Sequence, residues 1–130
     1  MSISSYLILS VGLFILMVVV QALFGIKQHG LTPLVGARDN LATPSLHLDR
    51  AKRANANMIE AMVMFAPLAL FAVHAGAVTA QTALAGALFF FGRLAFAPLY
   101  WLGVPWLRTI AWFVSVAGII LLFITLISFI

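Results

Sequence analysis

The chain of 130 residues is 65% hydrophobic and 8% charged, with a mean hydropathy of +1.18, whereas soluble domains are roughly half apolar and about a quarter charged. So short a chain cannot enclose that much apolar surface in a core, and the composition therefore excludes an ordinary water-soluble domain and predicts one domain held in lipid. The absence of cysteine excludes disulfides and a cysteine nucleophile, and the net charge of +4 does not predict nucleic-acid binding, because the seven basic residues are scattered among apolar segments.

Four apolar segments follow one another along the chain. The first, Leu7–Phe24, carries no charge, is long enough for one bilayer crossing and lacks the basic start and small-residue cleavage site of a signal peptide. Glycines and prolines predict a loop over Ile26–Leu48, a turn at Gly76 and a break at Gly103–Pro105. We therefore predict an all-α integral membrane four-helix bundle in a single domain 1–130, with helices over residues 5–25, 46–75, 78–99 and 105–129.

The basic residues predict the orientation of the bundle. All seven lie on or beside the first and third loops, which share one side of the membrane when the chain crosses four times: Lys27, Arg38, Arg50, Lys52, Arg53, Arg93 and Arg108. Because cytoplasmic loops carry the excess of lysine and arginine, that side is predicted to be cytoplasmic and both termini are predicted to lie outside.

A polar stripe marks the second predicted helix. Its members, Arg50, Arg53, Asn57 and Glu60, are three, four and three residues apart and fall within an arc of roughly 80° at 100° per residue. If this helix leaves the membrane near Ala75, Glu60 lies about 22 Å inward, within a hydrocarbon layer of about 30 Å. An unpaired carboxylate there costs several kcal/mol, so Glu60 must face a cation, a polar cavity or a ligand.

A second group of polar residues brackets the third loop. Arg93 and Tyr100 are seven residues apart and share a helix face, while Arg108 stands beside Thr109 in the first turn of the fourth helix. A guanidinium next to the unpaired backbone N–H groups of a helix start suits an anion.

Each of these features has a simpler interpretation. Arg50 and Lys52 also fit interfacial anchors, and Glu60 also fits a structural ion pair with Arg93 or Arg53. The aromatic residues of the third loop match an interfacial belt, which is the interpretation we favour for Trp101 and Trp106. No metal site is predicted, because the three histidines have no ligand spacing: His29, His47 and His74.

Taken together, the two groups resemble the MAPEG family, the membrane-associated proteins of eicosanoid and glutathione metabolism. The pattern Arg-x-x-Arg-x-x-x-Asn-x-x-Glu matches the stripe at full spacing, and Arg93, Tyr100 and Arg108 match the family's later arginine and tyrosine positions. The segment APLYWLGVPWLRT, residues 97–109, resembles bacterial members. The resemblance extends over essentially the whole chain in length, helix number and topology.

The resemblance implies a homotrimer in the bacterial inner membrane. Members with known activity bind glutathione between subunits near the cytoplasmic face and activate its thiol toward apolar electrophiles, by conjugation, peroxide reduction or isomerisation. It implies that glutathione, as co-substrate, is bound by six residues: Arg50, Arg53, Asn57, Glu60, Arg93 and Tyr100. It also implies catalytic roles for Arg108 and Thr109. This set complements a ligand that carries two carboxylates and one ammonium group.

Two other functions compete with a glutathione-dependent transferase or peroxidase. Some members carry a tyrosine one turn after the fourth-helix arginine, where this chain has Trp112, so a catalytically silent protein that binds a thiol or a lipid, or serves only in assembly, stays open. A small proton-coupled drug exporter is disfavoured, because such exporters carry a membrane-embedded carboxylate in the first helix and the first helix here has no ionisable side chain.

Overall fold

The computed structural model describes residues 1–130 and consists of helices joined by short turns and by one longer loop, residues 36–45. The helices are α1 (Ile3–His29), α2 (Leu31–Val35), α3 (Leu46–His74), α4 (Ala80–Leu102) and α5 (Pro105–Ile127). All except α2 are long and apolar enough to cross a membrane. The predicted all-α bundle with four membrane-spanning helices is confirmed.

The helix ends differ from the predicted ones by a few residues, and local capping explains where they fall. Helix α1 continues to His29 instead of residue 25, because the chain stays helical until Gly30, whose φ of 77° ends the helix. Helix α4 begins at Ala80 instead of residue 78, because Thr79 and Thr82 form a reciprocal capping box. The predicted loop after α1 also contains the short α2, whose Pro33 lies in its first turn, where a missing N–H costs nothing.

The four long helices form a diamond in cross-section. Helices α3 and α4 each contact the three other long helices, while α1 and α5 lie on opposite sides of them. Helices α4 and α5 are the most closely packed pair: a Cβ atom on Gly118 would stand 2.6 Å from the Ala85 carbonyl oxygen, and one on Gly92 would stand 2.7 Å from the Ser115 nitrogen. Such backbone contact is typical of small residues between membrane helices.

Two apolar clusters fill the interior. The larger contains Phe65 of α3 and Phe89 of α4, whose rings stack with centroids 3.9 Å apart. The smaller joins α1, α3 and α4 beside the polar stripe through Leu13, Met17, Ala54, Met58 and Ala97. The smaller cluster therefore sets the position of the stripe relative to α4.

The outside of the bundle is apolar. Val63, Leu70 and Phe113 are each 60% exposed or more, and only 29 of the 130 residues are buried. A patch of this extent is unfavourable in water and is covered by lipid in a membrane. The chain is a multi-pass membrane protein that contacts the lipid bilayer through these faces.

Candidate functional site

The polar stripe lies on a single uninterrupted helix. Helix α3 starts at a Ser45 cap, where the Ser45 hydroxyl accepts a 3.3 Å hydrogen bond from the Leu48 N–H, and runs without a break past the stripe. The predicted arc is therefore formed. Arg53 and Glu60 are exposed on the single protomer, and Asn57 is half-buried between them.

Tyr100 of α4 brings two of the arginines together. The Arg108 guanidinium lies 4.7 Å from the centroid of the Tyr100 ring, and the Arg53 guanidinium lies 5.6 Å from it. Both distances are within the range of cation–π attraction. Arg53 is also oriented by Asp49, one turn earlier, through a 2.9 Å salt bridge. Helices α3, α4 and α5 thus meet at one aromatic ring with two guanidinium groups beside it.

Arg108 stands at the start of α5. The N-cap residue Val104 provides no side-chain cap, so N–H groups of the first turn of α5, which immediately precedes Arg108, stay without an intrahelical partner. The neighbouring Thr109 hydroxyl donates a 3.0 Å hydrogen bond to the Pro105 carbonyl oxygen. Its proton is therefore engaged within the helix, while its lone pairs remain open. Arg108 and the helix start together form a local site of positive potential.

Arg93 lies behind the stripe and not on its surface. The side chain is 2% exposed and lies beside two rings, with its guanidinium carbon 5.1 Å from the Phe96 centroid and 5.9 Å from the Phe89 centroid. One Nη group donates a short hydrogen bond to Oδ1 of Asn57. Arg93 and Asn57 thus join α4 to the polar face of α3.

Glu60 has no ion-pair partner within the protomer. It is the middle residue of α3, with 14 helical residues on each side, and it is exposed. Its charge acts on Arg93, but the only salt bridge in the chain joins Arg53 to Asp49. The structural ion pair with Arg93 or Arg53 is therefore not formed within one chain. An ionised carboxylate is unfavourable in hydrocarbon, and no cation of this chain pairs with Glu60.

Arg50 contacts the turn between α4 and α5. One of its Nη groups donates a 3.4 Å hydrogen bond to the Trp101 carbonyl oxygen. Gly103 closes α4 with a φ of 73°, and a Cβ atom on Gly103 would stand 2.6 Å from the guanidinium carbon of Arg50. A cation at a helix C-terminus is favourable, since the last carbonyl groups are partly negative there. Arg50 therefore ties the start of α3 to the turn between Tyr100 and Arg108.

A second polar contact, between α1 and α3, is not predicted by the sequence motifs. Asn55, which is 7% exposed, donates a 2.6 Å hydrogen bond to the side-chain carbonyl of Gln21 and a weaker one to the Met17 carbonyl oxygen. The available signal was Gln21 itself, because an amide within an apolar membrane helix needs a polar partner on another helix.

The two tryptophans of the third loop have different surroundings. Trp106 is 77% exposed, as expected for an interfacial aromatic belt. Trp101 instead packs against the smaller apolar cluster, and its indole nitrogen is enclosed without a hydrogen-bond partner. The belt interpretation therefore fits Trp106 and not Trp101. Sequence could not distinguish them, because one lies in the last turn of α4 and the other in the first turn of α5, and which of them faces the interior depends on how the two helices pack.

Substituting Gly103 tests the contact between Arg50 and the turn. Gly103→Ala should lower Tm more than Gly76→Ala, since both glycines have left-handed φ values, 73° and 70°, but only Gly103 has atoms within 4 Å of a new Cβ. The shared backbone strain is about 1–2 kcal/mol. In an Arg50→Ala background, Gly103→Ala and Gly76→Ala should lower Tm by the same amount. Equal costs in the wild-type background, measured by thermal unfolding in detergent, would contradict the contact.

The chain matches the model of one known family. The model of the MAPEG family matches residues 3–128. No curated protein and no solved structure matches the chain. The match covers all four membrane-spanning helices and both groups of polar residues. The chain belongs to the MAPEG family.

Proposed function

We propose that the protein is a membrane-bound glutathione-dependent transferase or peroxidase that acts on apolar electrophiles. The observation that carries the proposal is the meeting of Arg53 and Arg108 on Tyr100, beside the start of α5. Two guanidinium groups close to a helix start favour a ligand that carries several negative charges. The same surroundings lower the pKa of a thiol, so they also suit a ligand with a thiol group. The family match supports a function in glutathione chemistry.

The charges around Tyr100 complement glutathione group by group. The two carboxylates of glutathione fit the Arg53 guanidinium and neighbouring hydrogen-bond donors. The ammonium group of glutathione fits Glu60, which is exposed and is the only acidic residue of the stripe. Arg50 and Arg93 add positive charge behind this surface. Ion pairs formed away from bulk water are strengthened by the lower local dielectric.

Arg108 is the proposed activator of the thiol. When the thiol loses its proton to solvent, the Arg108 guanidinium and the α5 N–H groups stabilise the sulfur anion. The thiolate then donates its electron pair to an electrophilic carbon, a C–S bond forms, and the displaced group leaves with its bonding electrons. With a hydroperoxide, the thiolate attacks the terminal oxygen, the O–O bond breaks, and the alcohol leaves with the hydroperoxide proton. The sulfenate then takes up a proton from solvent, and the thiol of a second glutathione displaces water from it to form the disulfide.

The apolar outer surface of the bundle suits the second substrate. An electrophile dissolved in the bilayer reaches the site sideways from lipid, while glutathione enters from water. We place the site near the cytoplasmic face of a bacterial cell membrane with both termini outside, because all seven basic residues lie on that side. A reporter fused after Ile130 that reads as cytoplasmic would overturn this orientation.

Glu60 connects the proposed ligand to a proposed homotrimer. An exposed carboxylate in the middle of α3 has to be covered, and a second copy of the chain brought against the stripe covers it together with the ligand. Native mass spectrometry in mild detergent should therefore resolve trimers. Glu60→Gln should keep the trimer and weaken glutathione binding more than tenfold in calorimetry. A loss of Tm without ligand, with unchanged affinity in the folded fraction, would identify Glu60 as structural.

Arg108→Ala tests the proposed chemistry most directly. The variant should lose the ultraviolet absorbance of bound thiolate and about a hundredfold or more in turnover, since it removes a preorganised positive charge next to the sulfur. Glutathione affinity should fall much less, because Arg53 and its neighbours still bind the carboxylates. Lys27→Ala removes the same charge from the end of α1 and serves as the matched control.

Measurements on Arg108→Ala and on the wild-type protein distinguish an enzyme from a protein that only binds glutathione. Normal thiolate formation and turnover in Arg108→Ala would make Arg108 an interfacial anchor. Glutathione bound without thiolate in the wild-type protein would indicate a binder without chemistry, in line with Trp112 in place of a tyrosine.

A further inference from the structure

We infer that Arg93 is a positioning residue, which fixes the Asn57 amide so that the two N–H groups of Asn57 are presented to the ligand. This inference rests on the proposed function, because it concerns how the same site distinguishes the groups of its ligand. It changes the role of Arg93 from ligand contact to support. It also makes Asn57 the residue through which Arg93 acts.

The hydrogen bond between the two side chains determines the amide orientation. A guanidinium has no acceptor atom, so the Asn57 atom that meets Arg93 has to be Oδ1. The amide nitrogen then points away from Arg93. It makes no hydrogen bond within the chain, and Asn57 is half-buried at the edge of the stripe. Both N–H groups of Asn57 are therefore left for a partner outside the protomer.

The residues around Arg93 keep its guanidinium against Asn57. Its side chain is 2% exposed, beside the rings of Phe89 and Phe96, so it has no open path to a ligand on the surface of the stripe. Gly92, the preceding residue, brings the α4 backbone against α5 and leaves no room for α4 to shift. Asn57 is also the only side chain to which Arg93 is hydrogen-bonded. The orientation of the amide is therefore imposed from the protein side.

Neighbouring positions of the stripe consequently recognise opposite groups. Asn57 presents its amide N–H groups, which donate and so select a carboxylate or carbonyl oxygen, while the Glu60 carboxylate, one turn further on, accepts and selects an ammonium group. Side chains three apart on a helix are about 5–6 Å apart at Cβ. A ligand that carries a carboxylate and an ammonium group close together satisfies both, and a ligand with the two groups exchanged satisfies neither.

A double-mutant cycle tests whether Arg93 acts through Asn57. Arg93→Met and Asn57→Ala should each weaken glutathione binding about tenfold, and the double variant should be no weaker than either single one, because both changes remove the same oriented donor. Arg93→Lys, which keeps a donor and the charge near Glu60, should recover part of the affinity. Losses that multiply in the double variant, or an Arg93→Met variant with wild-type affinity, would overturn the inference.

Asn57→Asp gives an independent test in a variant whose contact with Arg93 is preserved. The carboxylate still accepts from Arg93, so Tm should stay near the wild-type value, but the donor becomes an acceptor and glutathione affinity should fall more than tenfold. Retained affinity would show that the ligand does not use an Asn57 donor. Phe65→Leu, in the larger apolar cluster, shows how affinity responds to a loss of packing alone.

Failure of the proposed function can be told apart from failure of the inference about Arg93 and Asn57. If wild-type protein binds no glutathione in calorimetry, the proposed function fails, and the donor role of Asn57 toward glutathione fails with it. The contact itself is then decided by the same cycle measured as Tm without ligand. Non-additive losses support the fixed amide, and additive ones overturn it.

Discussion

A charge that lies within a bilayer must find a partner, and this constraint determines most of what is distinctive in the structure. The protein meets it in two ways. Arg93 is enclosed within the protomer, beside two aromatic rings and hydrogen-bonded to Asn57. Glu60 is left exposed in the middle of α3 with no partner of its own chain. The first arrangement satisfies the charge within one chain, whereas the second leaves a carboxylate without a cation of the same chain.

The packing of α4 against its neighbours turns scattered polar residues into one site. Helices α3 and α4 run antiparallel, so that Arg53 meets Tyr100, Asn57 meets Arg93 and Phe65 meets Phe89 in a regular register. Gly92 and Gly118 let α5 approach α4 closely, which brings Arg108 over the Tyr100 ring. Arg50 then closes the arrangement by its contact with the α4–α5 turn. A change in any of these contacts moves Arg108 relative to Arg53.

Much of this could be predicted from sequence, because periodicity depends only on the geometry of one helix. The spacing of Arg50, Arg53, Asn57 and Glu60 predicts one stripe on any α-helix, and α3 is continuous through it. The same reasoning placed Arg93 and Tyr100 on one face of α4. Periodicity could not show that the two residues differ in burial: Arg93 is enclosed, whereas Tyr100 is half-exposed. Seven residues are about 10 Å along a helix axis, enough to meet different neighbours.

Composition and segment length by themselves determined that the chain is a membrane protein with four spanning helices, because both depend on local chain properties that lipid and helix geometry impose. The family was indicated by the resemblance of its motifs and confirmed by the family match. The tertiary structure decided which polar residues face a partner and which are used internally. Arg50 and Arg93 were both predicted to bind glutathione, but in the structure Arg50 contacts the end of α4 and Arg93 contacts the Asn57 amide. The difference arises between helices, where side-chain partners are set by register and close approach, and neither quantity is encoded in the periodicity of a single segment.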